Sequence, residues 1–216
     1  MTRADAYNQR QIDRGELGID DVTALVRRFQ EARNLAVDGM AGPQTLSALR
    51  RKESPLECWP LPQLDDGRDP VVTSRSRWHN PSRPTHHGVD IMYPWREGDP
   101  LLGPGRVARA NGQPRWWVPE GAVVVAAGAG VVRMAGRIRT GLRCWIEHEG
   151  GIRSGYFHLE TLEVADGDRV EAGDVLGTVG ADPRGGVAHL HWEVSPVGRY
   201  EPMAPEPYLD GLPMAG

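Results

Sequence analysis

The stretch from Gly121 to Met134, Gly-Ala-Val-Val-Val-Ala-Ala-Gly-Ala-Gly-Val-Val-Arg-Met, decides the fold class. Two short runs of valine, a β-branched residue that favours strands, flank a Gly-Ala-Gly turn. Similar runs punctuated by glycine predict short hairpin strands throughout residues 118–194. The 27 glycines and 18 prolines of the 216-residue chain also favour a turn-rich β architecture over a helix bundle.

A helical pattern precedes this β-rich part of the chain. Apolar residues recur at i, i+3, i+4 and i+7, as on one face of a helix, at Val22, Leu25, Val26 and Phe29. A turn is predicted at Asp38-Gly39. Gly42-Pro43 then predicts the start of a second helix, because proline is tolerated at the first helical position. We therefore expect a small α-helical module over residues 1–52.

The domain organisation follows from these two patterns. Residues 53–73 are rich in proline and predict a semi-rigid linker, so the second domain would span residues 74–216. Within it, Trp95–Trp117 is rich in glycine and proline and has no clear period, which predicts a long loop on a cleft wall or on the surface. The predicted fold class is α+β, with a small helical module followed by a mostly antiparallel β domain.

Composition limits the classes of partner. A net charge of −4 gives no general attraction to nucleic acid or to anionic membranes. No stretch approaches the ~20 apolar residues of a membrane span, and Met1–Arg14 lacks the apolar core of a secretory signal. Cys58 and Cys144 lie far apart in the sequence, and we expect two unpaired thiols.

Histidines carry the chemistry of the predicted β domain. In a strand, His189 and His191 point to the same side about 7 Å apart, and one of them is then placed to bind a metal. An extended segment likewise returns His86 and Asp90, four residues apart, to one face. Two imidazoles and one carboxylate suit zinc and leave a fourth tetrahedral position for water. Each pair alone is weak evidence, but together with His158 they indicate a site.

From about Ser74 to Val194 the chain resembles the lysostaphin-like zinc metallopeptidases of the M23 type, also called LytM-type endopeptidases. The motifs that carry the resemblance include His86-x-Gly88-x-Asp90, Tyr156-Phe-His158-Leu159, Val170-x-x-Gly173-x-x-Leu-Gly177 and His189-Leu-His191-Trp-Glu193. The resemblance implies a β domain with a central groove and one zinc ion per chain. It implies that the zinc ligands are His86, Asp90 and His191, and that the non-ligand catalytic histidines are His158 and His189.

The remaining histidines receive other roles. By the same resemblance, His87 occupies the variable position of its motif and is not counted as a ligand. His148 is interpreted as structural, and His79 is expected on the surface. The Trp95–Trp117 segment is longer than in usual members of the family, which affects the expected substrate preference more than the expected activity.

Residues 19–50 resemble the second half of the small peptidoglycan-binding module that is attached to many cell-wall hydrolases. The elements Phe-Gln, Asp-Gly-x-x-Gly-Pro and Thr-x-x-x-Leu occur in the family's order. The resemblance implies that this module holds the protein at the wall. A helical hairpin that only docks on the next domain is the alternative.

Together these resemblances imply a zinc-dependent endopeptidase that cuts stem or cross-bridge peptides of bacterial peptidoglycan, as a bacteriolytic, endolysin-like hydrolase. It would act at the cell wall or in the periplasm. Delivery would be of a phage type, by a particle with an unidentified partner, or as a trimmed secreted enzyme. The alternative is a catalytically inactive M23-like adaptor that binds the wall or regulates other proteins. The bond cut, Gly-Gly, D-Ala to a diamino acid or another, stays open.

Overall fold

The structure, a computed structural model, describes residues 19–32, 37–41, 54–99, 107–110, 113–182 and 187–215. The chain divides into two compact units, with the boundary between Lys52 and Glu53. Among the helices of the described ranges, none is both long and apolar enough to cross a membrane.

In the first unit, the predicted amphipathic helix is α1 (Ile19–Ala32). The predicted turn also forms: Gly39 has a φ of 76°, and Asp38 Oδ1 accepts a 2.8 Å bond from the amide two residues on. The buried side chain of Gln30 ties α1 to this turn, because its Nε2 donates to Asp38 Oδ1 at 2.7 Å and its Oε1 accepts from the Gly39 amide at 2.9 Å. The second helix predicted from Gly42-Pro43 lies outside the described residues.

The second unit is a mostly antiparallel β structure, which confirms the predicted fold class. Its described strands are β1 (Val71–Ser74), β2 (Val89–Pro94), β3 (Val107–Ala110), β4 (Gln113–Trp117), β5 (Val123–Val125), β6 (Gly130–Ile138), β7 (Gly141–Glu147), β8 (Ile152–Leu162), β9 (Arg169–Val170), β10 (Val175–Val179) and β11 (Leu190–Pro196). A 3₁₀ turn (Glu149–Gly151) and a short helix, α2 (Glu206–Leu209), complete it. Hydrogen-bonded neighbours follow the order β3-β4-β2-β11-β8-β7-β6-β9; β1 pairs with β2, and β10 pairs with β5 and β8.

In strand β11, alternate side chains point into the core and towards the opposite face of the sheet. Leu190, Trp192 and Val194 are all 0% exposed and point into the core. Since side chains alternate along a strand, the residues between them, His191 and Glu193, point to the opposite face. Burial of each large apolar side chain contributes roughly 1.5–3 kcal/mol, so the core residues hold the register that places the polar ones.

The predicted linker, residues 53–73, differs from the expectation. From residue 54 onward it packs on the second unit: Leu56 and Leu61 are 3% and 0% exposed, and the Glu57 amide donates to the Ala127 carbonyl at 2.7 Å. Strand β1, which begins in this segment, pairs with β2. Prolines interrupt regular strand pairing, but they do not prevent the intervening leucines from entering the core, so composition alone was misleading here.

The Trp95–Trp117 segment, predicted as a loop without regular structure, contains the antiparallel strands β3 and β4. β4 also pairs with β2 through Trp117 and Tyr93. Arg68 contacts this region, with its guanidinium carbon 4.8 Å from the centre of the Trp117 ring. The sequence interpretation missed these strands because the glycines and prolines around them obscure the period of two.

Cys58 and Cys144 are both free and buried. Burial raises the pKa of the Cys144 thiol to about 12, and burial also raises the pKa of Cys58. Because the thiolate is the reactive form, both residues behave as small apolar groups of the core.

Candidate metal centre and catalytic cavity

Two neighbouring strands bring the three predicted ligands together. β2 and β11 pair with Asp90 directly opposite His191, and His86 lies in the segment that leads into β2. One ligand atom from each residue lies within 4.8 Å of the others. Gly88 makes this approach feasible, since a Cβ at that position would lie 2.4 Å from the carbonyl oxygen of Trp192. The glycine of the first histidine motif is therefore a requirement of the backbone packing.

One nitrogen atom of His86 and one of His191 point to the same carboxylate oxygen of Asp90. His86 Nε2 and His191 Nδ1 each lie 2.9 Å from Asp90 Oδ1. Their other ring nitrogens face acceptors: His86 Nδ1 lies 2.9 Å from the Arg75 carbonyl oxygen, and His191 Nε2 lies 3.1 Å from Glu193 Oε1. In its neutral form each ring donates its N–H to that acceptor and points its lone pair at Asp90. Two lone pairs and a carboxylate oxygen around one point fit a zinc ion with an open coordination position.

The electrostatics of the ligand set favour a cation at this point. Burial acts to lower the pKa of His191, but its hydrogen bonds with Asp90 and Glu193 outweigh burial and raise the pKa to about 9. Burial likewise opposes ionisation of Asp90, yet hydrogen bonds with His191 and His86 hold the pKa of its carboxyl well below the usual range. The negative potential that stabilises a proton on His191 also stabilises a metal ion in its place.

The two predicted catalytic histidines lie beside the ligand set. His158 Nδ1 is 2.9 Å from the Thr140 carbonyl oxygen, and His189 Nδ1 is 2.6 Å from the Val187 carbonyl oxygen. Both rings therefore donate their Nδ1–H to the backbone and keep Nε2 for other partners. Their ring centroids lie 4.8 Å apart, and His189 Nε2 is 3.4 Å from Asp90 Oδ1. The structure thus brings all five predicted site residues together.

An irregularity in β8 sets the direction in which the His158 side chain points. Against β7, Leu142 pairs with Leu159 but Arg143 pairs with Phe157, which leaves His158 as the extra residue of a β-bulge. Its φ of 63° lies in the left-handed region, at a cost of about 1–3 kcal/mol for a residue other than glycine. A regular strand would place Phe157 and His158 on opposite faces, whereas here both line the same cavity.

This cavity has a volume of about 460 Å³. Its lining consists of Arg83, Thr85, His86, His87, Asp90, Thr140, Phe157, His158, Asp182, His189, His191 and Glu193. Burial lowers the pKa of His158 to about 4, although the hydrogen bond with Thr140 opposes this effect. The imidazole of His158 is therefore neutral at ordinary pH, and its Nε2 can accept a proton.

Comparison with known proteins agrees with this geometry. Residues 115–205 match the family model described as "Peptidase family M23". Over residues 115–205 the second unit is therefore similar to the peptidases of this family. Residues 18–49 match a second model, "Putative peptidoglycan binding domain". No curated protein matches the chain in sequence.

Solved structures are similar to this chain, and the first two of the following share the β fold of the second unit. A "putative glycyl-glycine endopeptidase lytM" from Ruminococcus gnavus is 21% identical, with a TM-score of 0.54 over 91% of this chain and 85% of that chain. The SpoIIQ–SpoIIIAH pore forming complex contains a chain that is 19% identical, with a TM-score of 0.50 over 73% and 93%. A "putative peptidase M23" from Pseudomonas aeruginosa is 25% identical, with a TM-score of 0.46 over 77% of this chain and 59%, about three fifths, of that one.

The other histidines of the second unit take different places. His87 lines the cavity, but its Nδ1 lies 3.1 Å from Tyr200 Oη, and it is not part of the group whose ligand atoms converge. His148 is buried, with its Nε2 2.7 Å from Ser154 Oγ and its Nδ1 bonded to a backbone carbonyl. The side chain of His79 is 40% exposed. These positions agree with the non-ligand, structural and surface roles expected of them.

Sequence reasoning gave no role to the side chains that support the site. Glu193 Oε1 bonds with His191, and Glu193 Oε2 accepts a 2.8 Å bond from Tyr200 Oη. Arg83 Nη1 lies 3.1 Å from Asp90 Oδ2. Glu193 had a detectable signal, because it follows His191 by two residues and so shares its face of the strand. Arg83 and Tyr200 carry no such signal, since they lie outside the regular strands.

Proposed function

We propose that the protein is a zinc-dependent endopeptidase that hydrolyses peptide bonds in the stem or cross-bridge peptides of bacterial peptidoglycan. The observation that carries this proposal is the convergence of His86, Asp90 and His191 beside two further histidines in one cavity of an M23-family domain. The match of residues 18–49 to a peptidoglycan-binding model supports the wall as substrate. In this proposal residues 1–52 hold the enzyme at the wall, and its place of action is the cell wall or the periplasm.

The ligand set assigns a role to each of its atoms. His86 Nε2, a carboxylate oxygen of Asp90 and His191 Nδ1 would hold one zinc ion per chain. When bound, the ion supplies Lewis acidity to the scissile carbonyl and lowers the pKa of water towards neutrality. Arg75 and Glu193 keep the ligand rings in the required tautomers through their carbonyl and carboxylate oxygens.

The two histidines beside the ligand set transfer the proton and stabilise charge during the reaction. Burial keeps His158 neutral, so its Nε2 accepts a proton from the attacking water as the new C–O bond forms. The peptide C–N bond then breaks, and His158 returns the proton to the leaving amine. His189, whose Nε2 lies 3.4 Å from Asp90 Oδ1, stabilises the charge that develops on the substrate beside His158. The reaction is a hydrolysis without a covalent enzyme intermediate.

The proposal is tested by incubating the zinc-loaded protein with purified walls of different cross-bridge chemistry and determining the masses of the released fragments. Asp90→Asn, purified in the same way, is the matched control. We expect new amino and carboxyl termini at one type of peptide bond with the wild type and none with the variant. If the zinc-loaded protein binds the walls and leaves every peptide intact, the inactive adaptor is the correct interpretation.

A further inference from the structure

We propose that Arg83 binds a carboxylate of the substrate, so that the enzyme favours stem peptides with a free carboxylate near the scissile bond over neutral cross-bridges. This inference rests on the proposed peptidase function and names the substrate class of that site. Three features of the guanidinium carry it: its isolation among the charges of the cavity, its position across the sheet, and the edge that it leaves free.

The charges of the cavity are distributed unevenly. Of the described residues in its lining, Arg83 has the only guanidinium or ammonium group, whereas Asp90, Asp182 and Glu193 are acidic. Glu193 bonds with His191 and Tyr200, and Asp90 is the point on which the ligand histidines converge. An anionic group of a substrate therefore has one side chain of opposite fixed charge to approach, apart from the metal centre itself.

The strand order places this charge at one end of the cavity. Arg83 bonds with Ser74 on β1 and with Asp90 on β2. β11 lies between β2 and β8, and β8 carries His158. Adjacent strands lie about 4.8 Å apart, so roughly 10 Å separate β2, where Arg83 bonds with Asp90, from the strand of His158. Because Asp90 is one of the three residues whose ligand atoms converge, a substrate residue next to the scissile bond would lie beside Arg83.

The guanidinium of Arg83 is held through Nη1, and its Nε–Nη2 edge is free to bind a further group. Its Nη1 forms both described bonds, one to Ser74 Oγ and one of 3.1 Å to Asp90 Oδ2. Within the ranges that the structure describes, neither Nε nor Nη2 donates to another residue, and 47% of the side chain is exposed. The Nε–Nη2 edge is one that binds a carboxylate with two parallel hydrogen bonds. Because Asp90 and Ser74 already orient the side chain, binding costs less conformational entropy than it would for a free arginine.

This chemistry separates the two kinds of peptide in the wall. A glycyl cross-bridge has no carboxylate beside its scissile bond, whereas a stem peptide has one at its C-terminus and another on the side chain of its diamino acid where that residue is diaminopimelate. Charge-assisted hydrogen bonds contribute enough to separate such substrates by on the order of 10- to 100-fold. We therefore expect stem peptides to be cut faster than oligoglycine.

The test compares two pairs of synthetic stem peptides. In one pair the C-terminal carboxylate is replaced by a carboxamide, and in the other the side-chain carboxylate is replaced. We expect the zinc-loaded wild type to cut one carboxylate form with a kcat/KM about 10- to 100-fold above that of its amide, mainly through a lower KM. Arg83→Gln should lose this preference, so that the ratio of its kcat/KM values for the carboxylate and amide forms falls to about one. The pair that shows the effect identifies which carboxylate is bound.

Matched measurements distinguish substrate binding from support of the metal ligand. Arg133→Gln, which removes an exposed guanidinium 3.2 Å from Glu147, is the control and should behave like the wild type. The zinc affinity of each variant is measured by competition with a chelator. An equal loss on both members of each pair, or weaker zinc binding that accounts for the loss, would overturn the proposal and make Arg83 a positioning residue for Asp90.

Failure of the proposed function has a different signature. If the zinc-loaded wild type cuts none of the peptides, the peptidase proposal fails, and Arg83 is then judged by binding alone. Zinc-loaded His158→Ala should bind the carboxylate form about 10-fold or more tightly than the amide, and His158→Ala combined with Arg83→Gln should bind them equally. Equal binding of both forms by His158→Ala itself contradicts the inference about Arg83.

Discussion

On the two sides of the cavity, the pKa values of the histidines are shifted in opposite directions. Behind His191 lies the carboxylate of Glu193, and the pKa of His191 is raised to about 9. Behind His158 lies the neutral carbonyl of Thr140, and burial lowers the pKa of His158 to about 4. A buried imidazole next to a carboxylate therefore forms part of a site for a cation. A buried imidazole without such a carboxylate stays neutral and can accept a proton. The cavity combines one side of each kind.

The largest expected effect is on the cation side. Asp90→Asn removes the negative charge on which both ligand rings converge, so the zinc content should fall from one ion per chain to nearly none. Because a metal contributes several kcal/mol to such a transition state, kcat/KM should fall by on the order of a thousandfold or more. Zinc analysis of the dialysed variant and a peptide-release assay measure the two losses. Full zinc occupancy in Asp90→Asn would show that the cation side is misassigned.

On the neutral side, activity and metal content should separate. His158→Ala removes the proton acceptor but none of the ligands, so the variant should keep one zinc ion per chain. Its kcat should fall by about 10²- to 10⁴-fold, the usual contribution of a general base. Parallel zinc analysis and steady-state kinetics test this. Loss of zinc from His158→Ala would remove the proposed division of the cavity.

The carboxylate behind His191 is expected to have an intermediate effect. Glu193→Ala leaves the His191 tautomer unsupported and should weaken zinc binding by about 10- to 100-fold, as is usual for the partner of a ligand histidine. Glu193→Gln, which keeps an acceptor oxygen, should lose less, and Tyr200→Phe less still. Chelator competition gives the three affinities. The exposed Glu201→Gln is the control, and an unchanged affinity in Glu193→Ala would mean that Asp90 alone determines the cation side.

The smallest effect concerns a buried histidine outside the cavity. Burial lowers the pKa of His148 below its usual 6.5, so the unfolded chain takes up a proton that the folded chain resists. Its contribution to stability is therefore present above about pH 6.5 and is lost as pH falls towards the folded pKa. His148→Gln should cost about 1–3 kcal/mol at neutral pH through weaker buried hydrogen bonds. Urea unfolding from about pH 7.5 to 5.5 should show a smaller loss of stability on acidification in the variant than in the wild type. Equal losses would mean that burial does not suppress protonation of His148.

The cation side was largely predictable from the sequence, because its residues follow simple periods. His189 precedes His191 by two positions and His86 precedes Asp90 by four, so the alternation of side chains along an extended segment groups each pair. The same period separates Leu190 from its neighbours and places it in the core. The exact assignment of ligands needed the family resemblance in addition.

The rest of the site depends on features that local patterns do not encode. A bulge turns His158 to the side of Phe157, and a period of two predicts the opposite. Arg83 reaches Asp90 from an irregular segment, so only the folded chain reveals that contact. The proline-rich composition of residues 53–73 also suggested a linker, whereas Leu56 and Leu61 in this segment enter the core.

In the proposed mechanism, one zinc ion in this cavity is required to cut peptidoglycan peptides. The most direct measurement adds zinc stepwise to chelator-treated protein and follows the release of new amino termini from purified walls. We expect no release of new amino termini without metal, a linear rise as zinc is added, and saturation at one zinc ion per chain. Undiminished hydrolysis by the metal-free protein, or no hydrolysis at full zinc occupancy, would contradict this mechanism.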